Sequence, residues 1–260
     1  MQHAIIACIF ASIGCGIMGT YIVVRRIGFL AGGIAHSVLA GMGIAYFIGA
    51  APLIGALIAA LIAGILIGWI SLKWKQDEDI LIAAFWSVGM AIGIIFISRT
   101  EGYNIDLMSY LFGNILLVSL QDICLMAFLD VVLIILVALF YRQFLAATFD
   151  EEFSRLRGVN IEFIYILLLS MVSLTVVLLI QIVGLILVLA LLILPAASAT
   201  QFSGSIMKMM ILSVTFSLLI TLTGLLVSYA PDFPSGATII IVAGIFYVLS
   251  IIGRKLLSRL

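Results

Sequence analysis

Charged side chains are scarce in this chain. They make up 9% of its 260 residues, while 65% are hydrophobic. Soluble domains carry about 25% charged residues. So little charge cannot cover a water-facing surface, and lipid is the solvent this composition requires. The formal net charge is zero, so no overall bias points to nucleic acid. Several chemistries are also missing. There is no GxxxxGK[ST], so the chain has no P-loop of its own, and no HExxH or GxSxG, which argues against an intramembrane metalloprotease or serine hydrolase. The three cysteines, Cys8, Cys15 and Cys124, lie in apolar stretches without a CxxC and read as small core residues. Chains of buried acids, common in proton-driven transporters, are absent as well.

What is present is a succession of long apolar runs. A spanning helix needs about 20 apolar residues at about 1.5 Å rise each. On that rule spans fall near 4–24, 27–49, 52–72, 79–98, 121–141, 161–182, 184–202, 207–229 and 235–253. The first run is long enough to cross and is followed by no small-residue cleavage site, so it reads as a span and not a removed leader. The run 161–202 is too long for one crossing and is divided at Gln181–Gly184, where a flexible backbone permits a turn. The segment 104–119 is short and amphiphilic and reads as re-entrant or interfacial. The longest polar stretch is 142–160.

Basic residues test the division. With the N-terminus outside, Arg25, Arg26, Lys73, Lys75, Arg142, Arg155, Arg157, Lys208, Arg254, Lys255 and Arg259 all face the cytoplasm, and Arg99 alone faces out. Merging 161–202 would reverse Lys208 and the C-terminal cluster, so nine spans fit better than eight. The fold class is therefore an all-α, polytopic membrane protein, one transmembrane domain over 1–260. The GxxxG pairs Gly64–Gly68 and Gly89–Gly93 allow close helix approach, either within one subunit or at a dimer seam.

An ionisable group inside a membrane is costly and is a functional candidate by default. His36 lies near the middle of the second span, with Gly32, Gly33 and Gly41 expected to clear space around it. Asp130 lies about 12 Å into the fifth. Imidazole and carboxylate together suit first-row divalent metals; equally, His36 could bond a neighbouring helix carbonyl and Asp130 could join two helices. The stretch Asp150–Gly158 reads either as a short surface helix ended by a glycine cap or as a solvated loop.

FLAGGIAHSVLAG (29–41), DILIAAFWSVGMAIG (79–93), DLMSYLFGNIL (106–116), FDEEFSRLRG (149–158), LVLALLILPAASA (187–199) and FPSGATI (233–239) resemble, in order and over nearly the whole chain, the signature blocks of the ABC-3 family of zinc, manganese and iron importer permeases. The resemblance implies a permease for a divalent metal ion that binds no cofactor and catalyses no reaction itself. It implies a homodimer carrying two copies of a separate ATPase, supplied by an extracytoplasmic metal-binding protein, in a bacterial or archaeal cell membrane. Glu151, Glu152, Arg155 and Gly158 fall in a segment similar to the coupling motif that meets the ATPase, with Phe153 and Ser154 in place of its two alanines. His36 falls where such permeases place a histidine. Many carry an aspartate four residues earlier, where this chain has Gly32, so Asp130 or Asp106 would complete the metal site. Two rival readings are a permease of this architecture for a chelated metal or other small solute, and a secondary transporter working alone.

The basic-residue asymmetry has a direct check. In a cysteine-free background, an impermeant thiol reagent applied from outside should modify Gln2→Cys and spare Ser258→Cys. Modification of both would exclude nine crossings.

Overall fold

The computed structural model describes residues 1–74, 77–100, 113, 115–185, 188–229 and 233–257. Among them the chain is helical throughout, with ten α-helices. They are α1 (Gln2–Arg25), α2 (Gly28–Phe47), α3 (Pro52–Trp74), α4 (Glu78–Ser98), α5 (Leu120–Phe149), α6 (Glu151–Leu156), α7 (Ile161–Val183), α8 (Val188–Thr200), α9 (Ile206–Tyr229) and α10 (Ser235–Leu257). A single 3₁₀ turn, Ile115–Leu117, precedes α5. Among the described residues, eight helices are long and apolar enough to cross a membrane. The expected span 184–202 contains instead the 13-residue α8, about 20 Å long against about 30 Å of hydrocarbon. The turn expected before it is present: Gly184 adopts φ +79° and ends α7, a left-handed conformation that glycine takes without steric cost. Within α8, Pro195 removes one backbone donor from an already short helix.

The largest departure from the expected spans is α5. It runs 30 residues, about 45 Å, so residues 142–149 of the longest polar stretch continue the helix. Its start is closed by a capping box: the Asp122 carboxylate accepts from Ser119 N at 3.0 Å, and the Asp122 N–H donates to Ser119 Oγ at 3.2 Å. Cys8 and Cys15 are buried as expected, but Cys124, on α5, is exposed. The segment 104–119, read as re-entrant or interfacial, lies mostly outside the described residues.

The chain divides into two compact units. One comprises Met1–Arg26, Met108–Asp130 and Leu178–Leu260. In it α1 packs on α8 and α9, and α10 packs on α8 and α9. A Cβ added at Gly16 would strike the backbone of Val214, one at Gly19 the carbonyl oxygen of Leu192, and one at Gly224 would lie 2.6 Å from Ile239 Cα. Ser12 links α1 to α9 through Thr221 at 3.2 Å and also donates to the Cys8 carbonyl at 2.6 Å. This return of hydroxyls to the helix's own carbonyls satisfies them where water is absent.

The other unit comprises Ile27–Leu107 and Val131–Val177. Here α2 packs on both α3 and α4. Glycines make the approach possible. Gly41 and Gly55 face each other so closely that a Cβ on either would strike the other's carbonyl oxygen. On α4, a Cβ at Gly89 would lie 2.6 Å from Ser37 Cα, and one at Gly93 2.5 Å from the Leu39 carbonyl oxygen. Contacts run Gly33 to Ile82, Ser37 to Gly89 and Gly43 to Gly93, rising together along both helices. The two helices are therefore parallel, as two crossings separated by one must be. Gly64 and Gly68 of α3 face Leu169 of α7. Both GxxxG pairs thus serve packing within the chain.

Long aliphatics cover the outside. Ile54, Ile58 and Ile62, one turn apart on α3, are each more than half exposed. Such a stripe would be an aggregation site in water and is the ordinary surface of a helix in lipid.

The α2–α4 approach sets an expected outcome. Gly43→Ala places a methyl 2.6 Å from the Gly93 carbonyl oxygen, and overpacking of this kind costs about 1–3 kcal/mol. Gly244→Ala, which meets nothing within 4 Å, should be neutral. Thermal unfolding of both variants in detergent checks this; equal midpoints would show that the seam has slack.

Candidate functional site

His36 is the ninth residue of α2 (Gly28–Phe47), about 12 Å along it. Its imidazole lies flat against the indole of Trp86 on α4, with ring centroids 4.1 Å apart and planes 10° from parallel. The seam just described places the rings. Ile82 and Gly89 bracket Trp86 on α4, while Gly33 and Ser37 bracket His36 on α2. Of the glycines expected to clear a path beside His36, Gly33 and Gly41 do something else. Gly33 is filled by Ile82 Cγ2 at 2.5 Å from a built Cβ, and Gly41 by the backbone of α3. Both bring helices together at these points. His36 is half-buried, its Nδ1 is buried, and that nitrogen has no hydrogen-bond partner. The carbonyl bond considered from sequence is therefore not made by Nδ1.

Asp130 lies in α5 and is 2% exposed, with both carboxylate oxygens buried and unpartnered. The helix-to-helix hydrogen bond considered for it is not made. An unpaired carboxyl in a span is costly, which sets this residue apart from the structural serines and threonines that bond their own helix. His36 and Asp130 fall in different units, and Asp106 lies outside the described residues. Among the described residues no three His, Cys, Asp or Glu side chains gather as a metal site.

A groove of about 580 Å³ opens between α2, α3 and α4. Its lining is apolar, from Ile44, Ile58, Phe85 and Val88 among others, and its one hydroxyl, Ser37, already donates to the Ile34 carbonyl at 2.8 Å. Such a surface offers no free side-chain ligand to replace a cation's hydration shell.

The second candidate region is α6 and its flanks. Asp150 is the N-cap, its carboxylate accepting from Phe153 N at 2.9 Å. The other end is a Schellman motif: Val159 N donates to the Ser154 carbonyl and Gly158 N to the Arg155 carbonyl, both at 3.0 Å, with Gly158 at φ +77°. The glycine cap expected from sequence is therefore present, on a helix and not a loop. Ser154 is buried, whereas Glu151, Glu152, Arg155 and Gly158 are exposed. Phe153 is 50% and Leu156 87% exposed, and Arg157 lies over the Phe153 ring at 5.0 Å. The result is a doubly capped turn with two large apolar side chains in the open.

Sequence reasoning missed Trp86 and the capping role of Asp150. The acid-before-helix pattern could have revealed Asp150. Nothing local marks Trp86, because its partner lies on a helix 50 residues away.

Comparison with known proteins places this geometry. The ABC 3 transport family matches residues 1–254. The chain belongs to that family. A probable metal transport system membrane protein of Chlamydia pneumoniae is 40% identical over 256 residues, covering 96% of this chain and 87% of that one. The manganese transport system membrane protein MntC of Halalkalibacterium halodurans is 34% identical, with 96% and 86% covered. Among solved structures, PsaBC from Streptococcus pneumoniae in complex with Fab superposes with a TM-score of 0.86 at 32% identity, over 96% of this chain and 90% of that one. The ABC 3 resemblance drawn from the six sequence blocks thus holds over the whole chain, and the protein is a multi-pass membrane permease of that transport family.

The caps of α6 can be tested locally. Asp150→Ala removes the N-cap at a cost of about 1 kcal/mol. Amide exchange over Glu151–Leu156 should then rise roughly fivefold, with α5 and α7 unchanged. Unaltered exchange would mean that Ser154 alone holds the turn.

Proposed function

We propose that this permease is the membrane subunit of an ATP-driven importer and forms the path for a divalent metal ion: zinc, manganese or iron. The observation that supports this most is the unbroken likeness, over 96% of the chain, to relatives named for metal transport. The ligand chemistry agrees. A neutral imidazole inside a span can bind and release a first-row divalent ion without a redox step and without the cost of a permanent charge. His36 is the first ligand in this reading, and Asp130 and Asp106 are the carboxylate candidates for the rest of the path.

The energy comes from a partner. Two copies of a separate ATPase bind the cytoplasmic side of a dimer of this chain, and an extracytoplasmic binding protein delivers the ion. The N-terminus faces out, and with the α8 segment completing a ninth crossing the C-terminus faces in; the five crossings before α6 put it in the cytoplasm. There Glu151, Glu152, Arg155 and Gly158 meet the ATPase, with Phe153 and Leu156 seated in its groove. A capped helix moves as one body with whatever grips it, so ATP binding in the partner is converted into rearrangement of the permease. The chain needs no resident cofactor for this and makes or breaks no covalent bond.

The test is uptake of Mn²⁺, Zn²⁺ and Fe²⁺ by cells expressing the whole importer. His36→Ala and His36→Gln should both abolish uptake at low external metal while membrane abundance stays near normal. Glutamine keeps a hydrogen-bonding amide but is a poor ligand for these ions. Normal transport by His36→Gln would make the histidine structural and leave Asp130 as the next ligand to test.

A further inference from the structure

We propose that Trp86 is a positioning residue for the cargo. Its indole holds the His36 imidazole in one plane, so that the ring presents a nitrogen edge to the passing ion. This rests on the reading of His36 as a metal ligand.

Coordination uses the in-plane lone pair of a ring nitrogen, so a histidine ligand must have its ring plane fixed. Proteins usually do this with a hydrogen bond from the other nitrogen to a carboxylate or carbonyl. His36 lacks that device at Nδ1, which is buried and unpartnered. The interaction that does restrain the ring is the Trp86 stack, at 4.1 Å and 10°. Rotation of the imidazole about its own axis would drive its edge into the indole face.

The stack is itself held from the backbone. Gly33 against Ile82 lies just before it and Gly89 against Ser37 just after it, so the two helices cannot slide and let the rings part. The pairing also has an electronic consequence. A ring nitrogen that donates to a cation leaves the imidazole partly positive, and an indole face is the aromatic surface that best accommodates positive charge. The stack therefore favours the ion-bound imidazole over the free one.

The experiment compares Mn²⁺ uptake against external Mn²⁺ for the parent importer and for Trp86→Leu, Trp86→Phe and His36→Gln, each matched for membrane abundance. Loss of an orienting partner costs about tenfold or more in metal affinity. Trp86→Leu should raise KM about tenfold and leave the maximal rate within about twofold, and Trp86→Phe should recover most of that loss. A direct readout uses the three tryptophans of the chain. In a Trp69→Phe, Trp74→Phe background, Mn²⁺ should quench the emission of Trp86, and adding His36→Gln should remove the response. Unchanged KM in Trp86→Leu alongside inactive His36→Gln overturns the positioning role and leaves the ligand role standing. Normal uptake by His36→Gln overturns both. If Trp86→Leu fails to reach the membrane, the fluorescence decides: no His36-dependent quenching in a transport-competent Trp86 protein overturns the proposal.

Discussion

Close backbone approach between helices in lipid is the constraint on which the rest of this structure depends. Water cannot drive one apolar helix onto another when the tails around them are equally apolar. Cohesion must come from dispersion contacts, and these require the backbones to touch. The seams α2–α3, α2–α4 and α3–α7 meet that requirement with glycine at Gly41, Gly55, Gly64, Gly89 and Gly93. In the other unit Gly16, Gly19 and Gly224 do the same for α1–α9, α1–α8 and α9–α10. The polar side chains between them either bond back to their own helix, as Ser12, Thr20 and Ser173 do, or stand apart from that rule, as Asp130 does.

The same seam makes chemistry possible. With α2 and α4 parallel and in contact, the His36 and Trp86 rings lie stacked. A weakly basic ring in the membrane interior then becomes a ring of fixed orientation, at no cost in buried charge. Tight seams also explain why the groove beside α2 is chemically bare: its small residues were selected for contact, and what remains at its rim is aliphatic.

Function in a transporter also needs an element that reports to the outside of the bilayer, and α6 has the right construction. Helices of six residues are unstable alone because nucleation is costly. This one persists because Asp150 closes one end, a Schellman turn at Gly158 closes the other, and Ser154 is buried. Its exposed Phe153 and Leu156 would be a liability on a free surface, and the proposed ATPase contact would cover them. The long α5 and the Asn160 cap of α7, which accepts from Phe163 N at 3.1 Å, hold this turn between two spanning helices.

By itself the sequence determined the solvent, the helical class, the approximate spans, the break at Gly184 and the glycine cap at Gly158. Each of these follows from local composition or from one residue's allowed backbone angles, and such terms need no knowledge of neighbours. His36 and Asp130 were legible for a related reason: an ionisable group in an apolar run is conspicuous. The tertiary structure decided the rest. It reduced the seventh span to the 13-residue α8, extended α5 to Phe149, and turned Gly33 and Gly41 from cleared space into contact. It also supplied Trp86, which no pattern on α4 announces. These depend on which helix lies against which, and in lipid that choice rests on shape complementarity between residues far apart in the chain, a quantity that periodicity and composition do not carry.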